Sequence, residues 1–281
     1  MLDPSLAITI HQTRRGPVAH LASDSCIGLA LGRYGEWAEE EISLLRQFVR
    51  PGDTVIDAGA NVGTHTMAFS EMTGPTGFVI AIEADSTVHH LLETNVRANS
   101  LSNVFVHHCL VGGETRQVPV ATGDMVFPGG NYGARSFVAD VMAAIPDNAA
   151  HTASALMVPM ITVDSLRLSA CHLIKIDVEG MELDVIQGSL ATIAEHRPFI
   201  YFEHANDDSA RLTAIADLLA GFGYRLFWHV TNPFNPNNWR GEAENIFGAA
   251  IEVNVLAMPP GAASPIALPQ ITSPRRPVRD T

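Results

Sequence analysis

The stretch VIDAGANVGTHT (55–66) carries the strongest chemical signal in the chain. An apolar run ends at Asp57, Gly59 and Gly63 flank a tight turn, and a helix is expected directly after it. Glycine serves where a backbone turns sharply or meets a ligand closely. The helix that follows offers the unpaired N–H groups of its first turn. Asn61 stands where a second close glycine often stands, and asparagine tolerates left-handed backbone angles. Twenty residues beyond Gly63, Glu83 ends the next apolar run. A carboxylate there can accept hydrogen bonds from both hydroxyls of a ribose. Turn and acid together point to an adenosine-containing cofactor. A dinucleotide site usually keeps G-x-G-x-x-G, whereas this turn reads G-A-N-V-G with Asp57 beside it. An acid facing the cofactor repels a pyrophosphate and favours an amino group and a sulfonium. S-adenosylmethionine is therefore the expected cofactor.

A second cluster is LIKIDVEG (173–180). Ligands of open α/β sheets bind outside the carboxyl ends of the strands, where Asp177 ends a short run and Glu179 opens the loop. Side chains alternate along a strand, so Lys175 and Asp177 share one face. Asp177 could bind an acceptor hydroxyl, bind the cofactor amine, ligate a metal or cap a helix. Lys175 is either its catalytic neighbour or a buried ion-pair partner. Glu203 and His204 end another run at the same rim, and a histidine there suits a general base. Asp177, Glu179 and Glu203 could also make a hard oxygen site for a divalent cation. Tyr34, Glu36 and Trp37 precede the glycine turn and could position a sugar-like acceptor, as could the 123–136 segment and the polar loop at Asn235, Asn237, Asn238, Trp239 and Arg240.

These residues need a scaffold that brings strand ends together. Apolar runs at 54–59, 78–83, 103–111, 172–177, 198–203, 224–230 and 249–258 read as strands. Helical patterns at about 63–72, 86–99, 181–193 and 208–222 lie between most of them. Such alternation indicates a mostly parallel sheet with helices on both faces. Residues 1–50 read as an N-terminal extension, with short strands at 6–10 and 18–22 and a helix at 37–49. Residues 51–258 read as the catalytic domain. The segment 112–157 interrupts the rhythm and suggests a functional loop. Residues 259–281 are proline-rich and expected to form a mobile tail.

The chain has 281 residues, 47% hydrophobic and 17% charged, enough apolar material for a full core. Its net charge of −13 repels phosphate backbones and excludes nucleic acid as a default partner. Lys175 is the only lysine. Three scattered cysteines suit neither a disulfide framework nor a cysteine zinc site. No apolar run reaches membrane-helix length, and the first residues lack signal-peptide order. A cytoplasmic protein, able to form homo-oligomers, is expected.

VIDAGANVGTHT, GPTGFVIAIEAD (74–85), NVRANSLSNV (95–104), TVDSL (162–166), LIKIDVEGMELDVIQGS (173–189) and HRPFIYFE (196–203) together resemble the FkbM family of S-adenosylmethionine-dependent methyltransferases. RYGEWAEEE (33–41) and NPFNPNNWRGEAENIFG (232–248) resemble segments of some members. The resemblance implies a class I, Rossmann-like seven-stranded sheet and O-methylation. It implies that Asp57, Gly59, Asn61 and Gly63 form the cofactor loop and that Glu83 holds the ribose. Asp85 or Ser86 would line the same edge, and His108 and Cys109 would border the adenine. The expected acceptor is a hydroxyl of a sugar, glycoconjugate or polyhydroxylated small molecule. An NAD-dependent oxidoreductase and a catalytically silent cofactor-binding module stay open as alternatives.

Overall fold

The computed structural model describes residues 7–122, 154–204, 208–263 and 268–273. A hairpin of β1 (Ile8–Thr13) and β2 (Gly16–Leu21) leads to two short helices, α1 (Ile27–Arg33) and α2 (Glu39–Leu45). The sequence pattern gave no warning of α1 and extended α2 at both ends. Seven strands then build the main sheet: β3 (Thr54–Ala58), β4 (Phe78–Glu83), β5 (Val104–His108), β9 (Leu173–Ile176), β10 (Phe199–Glu203), β11 (Arg225–Thr231) and β12 (Glu252–Met258). Their order across the sheet is β11-β12-β10-β9-β3-β4-β5, and β12 runs antiparallel to both its neighbours. β3 and β9 lie side by side at the centre, so the two chemical clusters end on adjacent strands.

The central strands are apolar on both faces because helices cover both. Val55, Leu173 and Tyr201 face a cluster with Ile42 and Leu45 of α2 and Phe69 of α3 (Thr64–Thr73). Ile56, Ile174 and Ile200 face the other cluster. There they meet Val185 of α5 (Glu182–Gln187), Ile193 of α6 (Leu190–His196) and Leu212 of α7 (Ser209–Ala220). The remaining helix, α4 (Ser86–Ala98), is capped by Asp85, whose carboxylate accepts from Thr87 and Val88 N–H. Asp85 thereby satisfies donors that the first turn leaves unpaired.

Three boundaries differ from the sequence pattern. The run 103–111 is two strands: β5 joins the main sheet, while β6 (Leu110–Val111) turns into a small sheet with β7 (Arg116–Thr122) and β8 (Ser154–Ile161). The helix expected over 181–193 breaks between α5 and α6. A side chain at Gly188 would stand 2.1 Å from the Gly112 carbonyl, so the chain passes there only as glycine. The described part of the expected mobile tail is engaged. Pro269 accepts from Trp228 N–H, and Ile271 donates to the Leu226 carbonyl. This contact occupies the open edge of β11, where backbone groups would otherwise lack partners. The 123–136 segment lies outside the described residues.

Candidate active site

At the end of β3 the chain adopts left-handed angles at Gly59 (φ +78), Asn61 (φ +50) and Gly63 (φ +95). Gly59 packs against the neighbouring strand end: a Cβ there would lie 1.7 Å from the Asp177 carbonyl oxygen. Its N–H and that of Ala60 both donate to the Ile82 carbonyl, tying the loop to the end of β4. Glu83 completes the knot. One carboxylate oxygen accepts from Asn61 N–H at 3.0 Å and the other from Asp85 N–H at 2.8 Å. Burial pushes the Glu83 carboxyl up to about 7, against the pull of these two N–H groups.

A cleft opens over these strand ends. At one end Glu83 and Asp85 stand beside an apolar wall that includes Ile82, Cys109, Leu110, Val111 and Met181. At the other, carboxyls gather: Glu41, Asp177, Glu179, Glu203 and Glu252 all reach the lining, with Lys175, His65, Asn254 and Trp37. Oxygens of Asp177, Glu179 and Glu203 lie within 4.8 Å of one another. That set could hold a hard divalent cation. Crowding has its usual consequence. Burial, then Asp177, pushes Glu179 up to about 8, and the same two causes push Glu203 higher. Burial likewise raises Glu41 and Glu252, which are hydrogen-bonded to each other.

Lys175 is 4% exposed. Its ammonium donates to Asp177 at 3.1 Å and to the Gly59 carbonyl at 3.2 Å, and lies 3.5 Å from Asp57. Burial opposes its charge, but Asp177 and Asp57 outweigh that and hold it above its ordinary range. The lone lysine is thus consumed in fastening the glycine turn to β9.

Several expectations need correction. Asp57 is fully buried, accepts from Thr66 at 2.6 Å and does not line the cleft, so it cannot itself repel a pyrophosphate. Gly63 also lies off the cleft, with Leu92 2.8 Å from where its Cβ would be. Tyr34 is core: its ring packs on Phe234 and Phe247, and its hydroxyl donates to the Glu244 carbonyl. Glu36 accepts from Arg14, Asn235 and Trp239 N–H, pinning the 232–248 loop to the hairpin. Only Trp37 of that trio faces the cleft. His204 is buried against Trp228, on the opposite side of its strand end from Glu203, and is not in the lining. Alternation at the end of β10 turns the two side chains to opposite faces. His108 stacks on His89 instead of lining the cleft, whereas Cys109 does line it.

Sequence reasoning missed Glu41, His65, Glu252 and Asn254. Glu41 is one of three acids in the first turn of α2, and His65 lies inside the glycine motif, so neither stands out by type or spacing. Nothing local marks Glu252 or Asn254, which arrive from the last strand.

The model of the methyltransferase FkbM domain matches residues 57–226, which contain the glycine turn, Glu83 and the Lys175–Asp177 pair. The chain belongs to the FkbM methyltransferase family. A curated relative, "Methyltransferase 1" of Beauveria bassiana (strain ARSEF 2860), is 26% identical over 151 residues, 49% of this chain and 59% of that protein. The crystal structure of methyltransferase FkbM from Methylobacillus flagellatus KT is similar at 18% identity and a TM-score of 0.48. The likeness covers 77% of this chain and 50% of that one. The O-methyltransferase TomG from Streptomyces achromogenes, solved with SAM, is similar at 9% identity and a TM-score of 0.42, over 79% and 80% of the two chains. The chain spans 59% of the length of the first and 50% of the second. Among the described residues no helix is long and apolar enough to cross a membrane.

Proposed function

We propose that this protein transfers the methyl group of S-adenosylmethionine to a hydroxyl of a sugar, glycoconjugate or polyhydroxylated small molecule. The observation that carries the cofactor is the Glu83 carboxylate, held by the Asn61 and Asp85 N–H groups beside the Gly59 turn. Its buried oxygens keep lone pairs for two ribose hydroxyls. Gly59 lets the turn close against the end of β9, where any side chain would meet the Asp177 carbonyl. The far end of the cleft carries carboxyls, and its one ammonium is already paired. Among the described lining residues, that leaves carboxyl oxygens to accept from an ammonium and no unpaired cation to receive a pyrophosphate.

When bound, the cofactor supplies an electrophilic methyl group. The protein's share is placement and exclusion of water. Gly59, Asn61, Glu83 and Asp85 hold the adenosine portion. Lys175 and Asp177 set the strand ends at which methyl transfer takes place. Trp37, Glu179 and Glu203 receive the acceptor, the aromatic ring offering a face and the raised carboxyls offering protons to hydroxyl oxygens. A second arrangement is supported by the convergence of Asp177, Glu179 and Glu203: a divalent cation there would align two acceptor oxygens. Manganese binding followed by electron paramagnetic resonance, and its loss in Glu203→Gln, checks that arrangement.

Calorimetric titration with S-adenosylmethionine, S-adenosylhomocysteine and NAD tests the main proposal. Binding of the two sulfur compounds alone is expected. Binding of NAD alone would select an oxidoreductase. Cofactor binding without transfer to any hydroxylated acceptor in a broad panel would select a silent module.

A further inference from the structure

His204 lies off the cleft, which leaves the acceptor's proton without the base that the sequence suggested. The cleft contains another imidazole. His65, the second residue of α3, lines it and is 5% exposed. Its Nε2 is shielded from solvent and makes no hydrogen bond, and Glu41 Oε2 lies 3.3 Å away. The small exposed remainder of the side chain borders the cleft, and Nδ1 is the ring nitrogen left to meet an acceptor. Phe69 packs against the ring at 5.9 Å between centroids and limits its turning.

We infer that His65, backed by Glu41, takes the proton from the acceptor hydroxyl during methyl transfer. This assignment rests on the methyl-transfer reading above. The step balances as follows. The acceptor O–H bond breaks and its proton goes to His65 Nδ1. The oxygen forms a bond to the methyl carbon, and the carbon–sulfur electron pair stays on sulfur. The products are the O-methyl compound, S-adenosylhomocysteine and an imidazolium beside the Glu41 carboxylate, which later yields its proton to solvent.

The surroundings fit this part. The charged groups that act on the ring are Lys175 of β9, Asp57 of β3, Asp177 after β9, Arg15 of the hairpin turn and Glu41 of α2. Burial, then the Lys175 charge, holds His65 down to about 4, so at neutral pH the ring is neutral and carries a lone pair on one nitrogen. Above about pH 7, where Glu41 is ionised and accepts from Glu252, its oxygen at 3.3 Å favours the tautomer with the proton on Nε2, since a lone pair there would face negative charge. That tautomer leaves the Nδ1 lone pair for the acceptor. Asp177 is less suited, because Lys175 already occupies its carboxylate.

The test is nitrogen-15 NMR of the histidine rings, free and loaded with S-adenosylhomocysteine, alongside calorimetry of the same samples. The His65 ring is assigned by its loss in His65→Gln, or by through-bond correlation to its backbone if that variant does not fold. A neutral ring from pH 6 to 8, with a protonated Nε2 and a bare Nδ1 at pH 8 that shifts on loading, is expected. His65→Gln should hold S-adenosylhomocysteine within about threefold of the wild type. A proton on Nδ1 at pH 8, a cationic ring at pH 7, or signals untouched by loading would overturn the assignment alone. So would a loss of affinity beyond about tenfold in His65→Gln, which would make the residue a cofactor ligand. Failure of the wild type to bind S-adenosylhomocysteine would remove the methyl-transfer reading and this assignment with it.

Discussion

Replacing Gly59 by alanine should separate cofactor binding from general stability. The new Cβ would stand 1.7 Å from the Asp177 carbonyl oxygen and 2.8 Å from its carbonyl carbon. Both are backbone atoms at the end of β9, so no side-chain rotation relieves the contact. The residue also sits at φ +78, where an L side chain is disfavoured. The left-handed angle costs alanine about 1–2 kcal/mol and overpacking about 1–3 more, together about 2–5 kcal/mol. Relief requires the ends of β3 and β9 to part, which moves the loop that meets Glu83. If the displaced loop withholds from the bound cofactor even the low end of that cost, S-adenosylhomocysteine binding weakens by about 30-fold at 1.4 kcal/mol per decade. Gly241→Ala is the control: its φ is +68, but nothing lies within 4 Å of the added carbon. It should lose about 1–2 kcal/mol of stability and no affinity. Calorimetry and urea unfolding of both variants give the comparison. Wild-type affinity in Gly59→Ala, with stability no lower than in Gly241→Ala, would refute the close approach of the two strand ends.

Lys175→Met leaves Asp57 and Asp177 buried or half-buried without their cation and should cost about 3–5 kcal/mol in denaturant unfolding; adding Asp57→Asn should restore part of it. Stability should fall as pH rises from about 5 to 8. The Glu83 and Glu179 carboxyls go from 4.5 to about 7 and about 8 on folding, so the folded chain holds more protons across that window. Thermal unfolding across the range checks the sign, and a rising midpoint would contradict it. His204→Asn should lower the unfolding midpoint through its lost packing on Trp228 and leave S-adenosylhomocysteine affinity unchanged in calorimetry.

Much of the scaffold was legible because its signals are local. A short apolar run followed by an acid or a glycine reads as a buried strand that ends at a site, and β3, β4, β9 and β10 all have this form. The left-handed positions at Gly59, Asn61 and Gly63 follow from residue type. So does Glu83, since its distance from the turn is a property of one strand–helix–strand unit. The split at Cys109 and the break at Gly188 were not legible, because each is imposed by a distant segment: β8 draws β6 away, and Gly112 crowds Gly188.

The chemistry divides along the same line. Residue types alone placed a glycine turn and a carboxyl cluster on strand ends. Which side chains face the cleft was decided by tertiary structure. Tyr34 and Glu36 turned inward to hold the 232–248 loop, and His204 turned onto Trp228. Glu41, His65 and Glu252, from three separate elements, met beside Lys175. Strand and helix periodicity fixes a residue's face relative to its own element, whereas the identity of what covers that face depends on how elements far apart in the chain pack together.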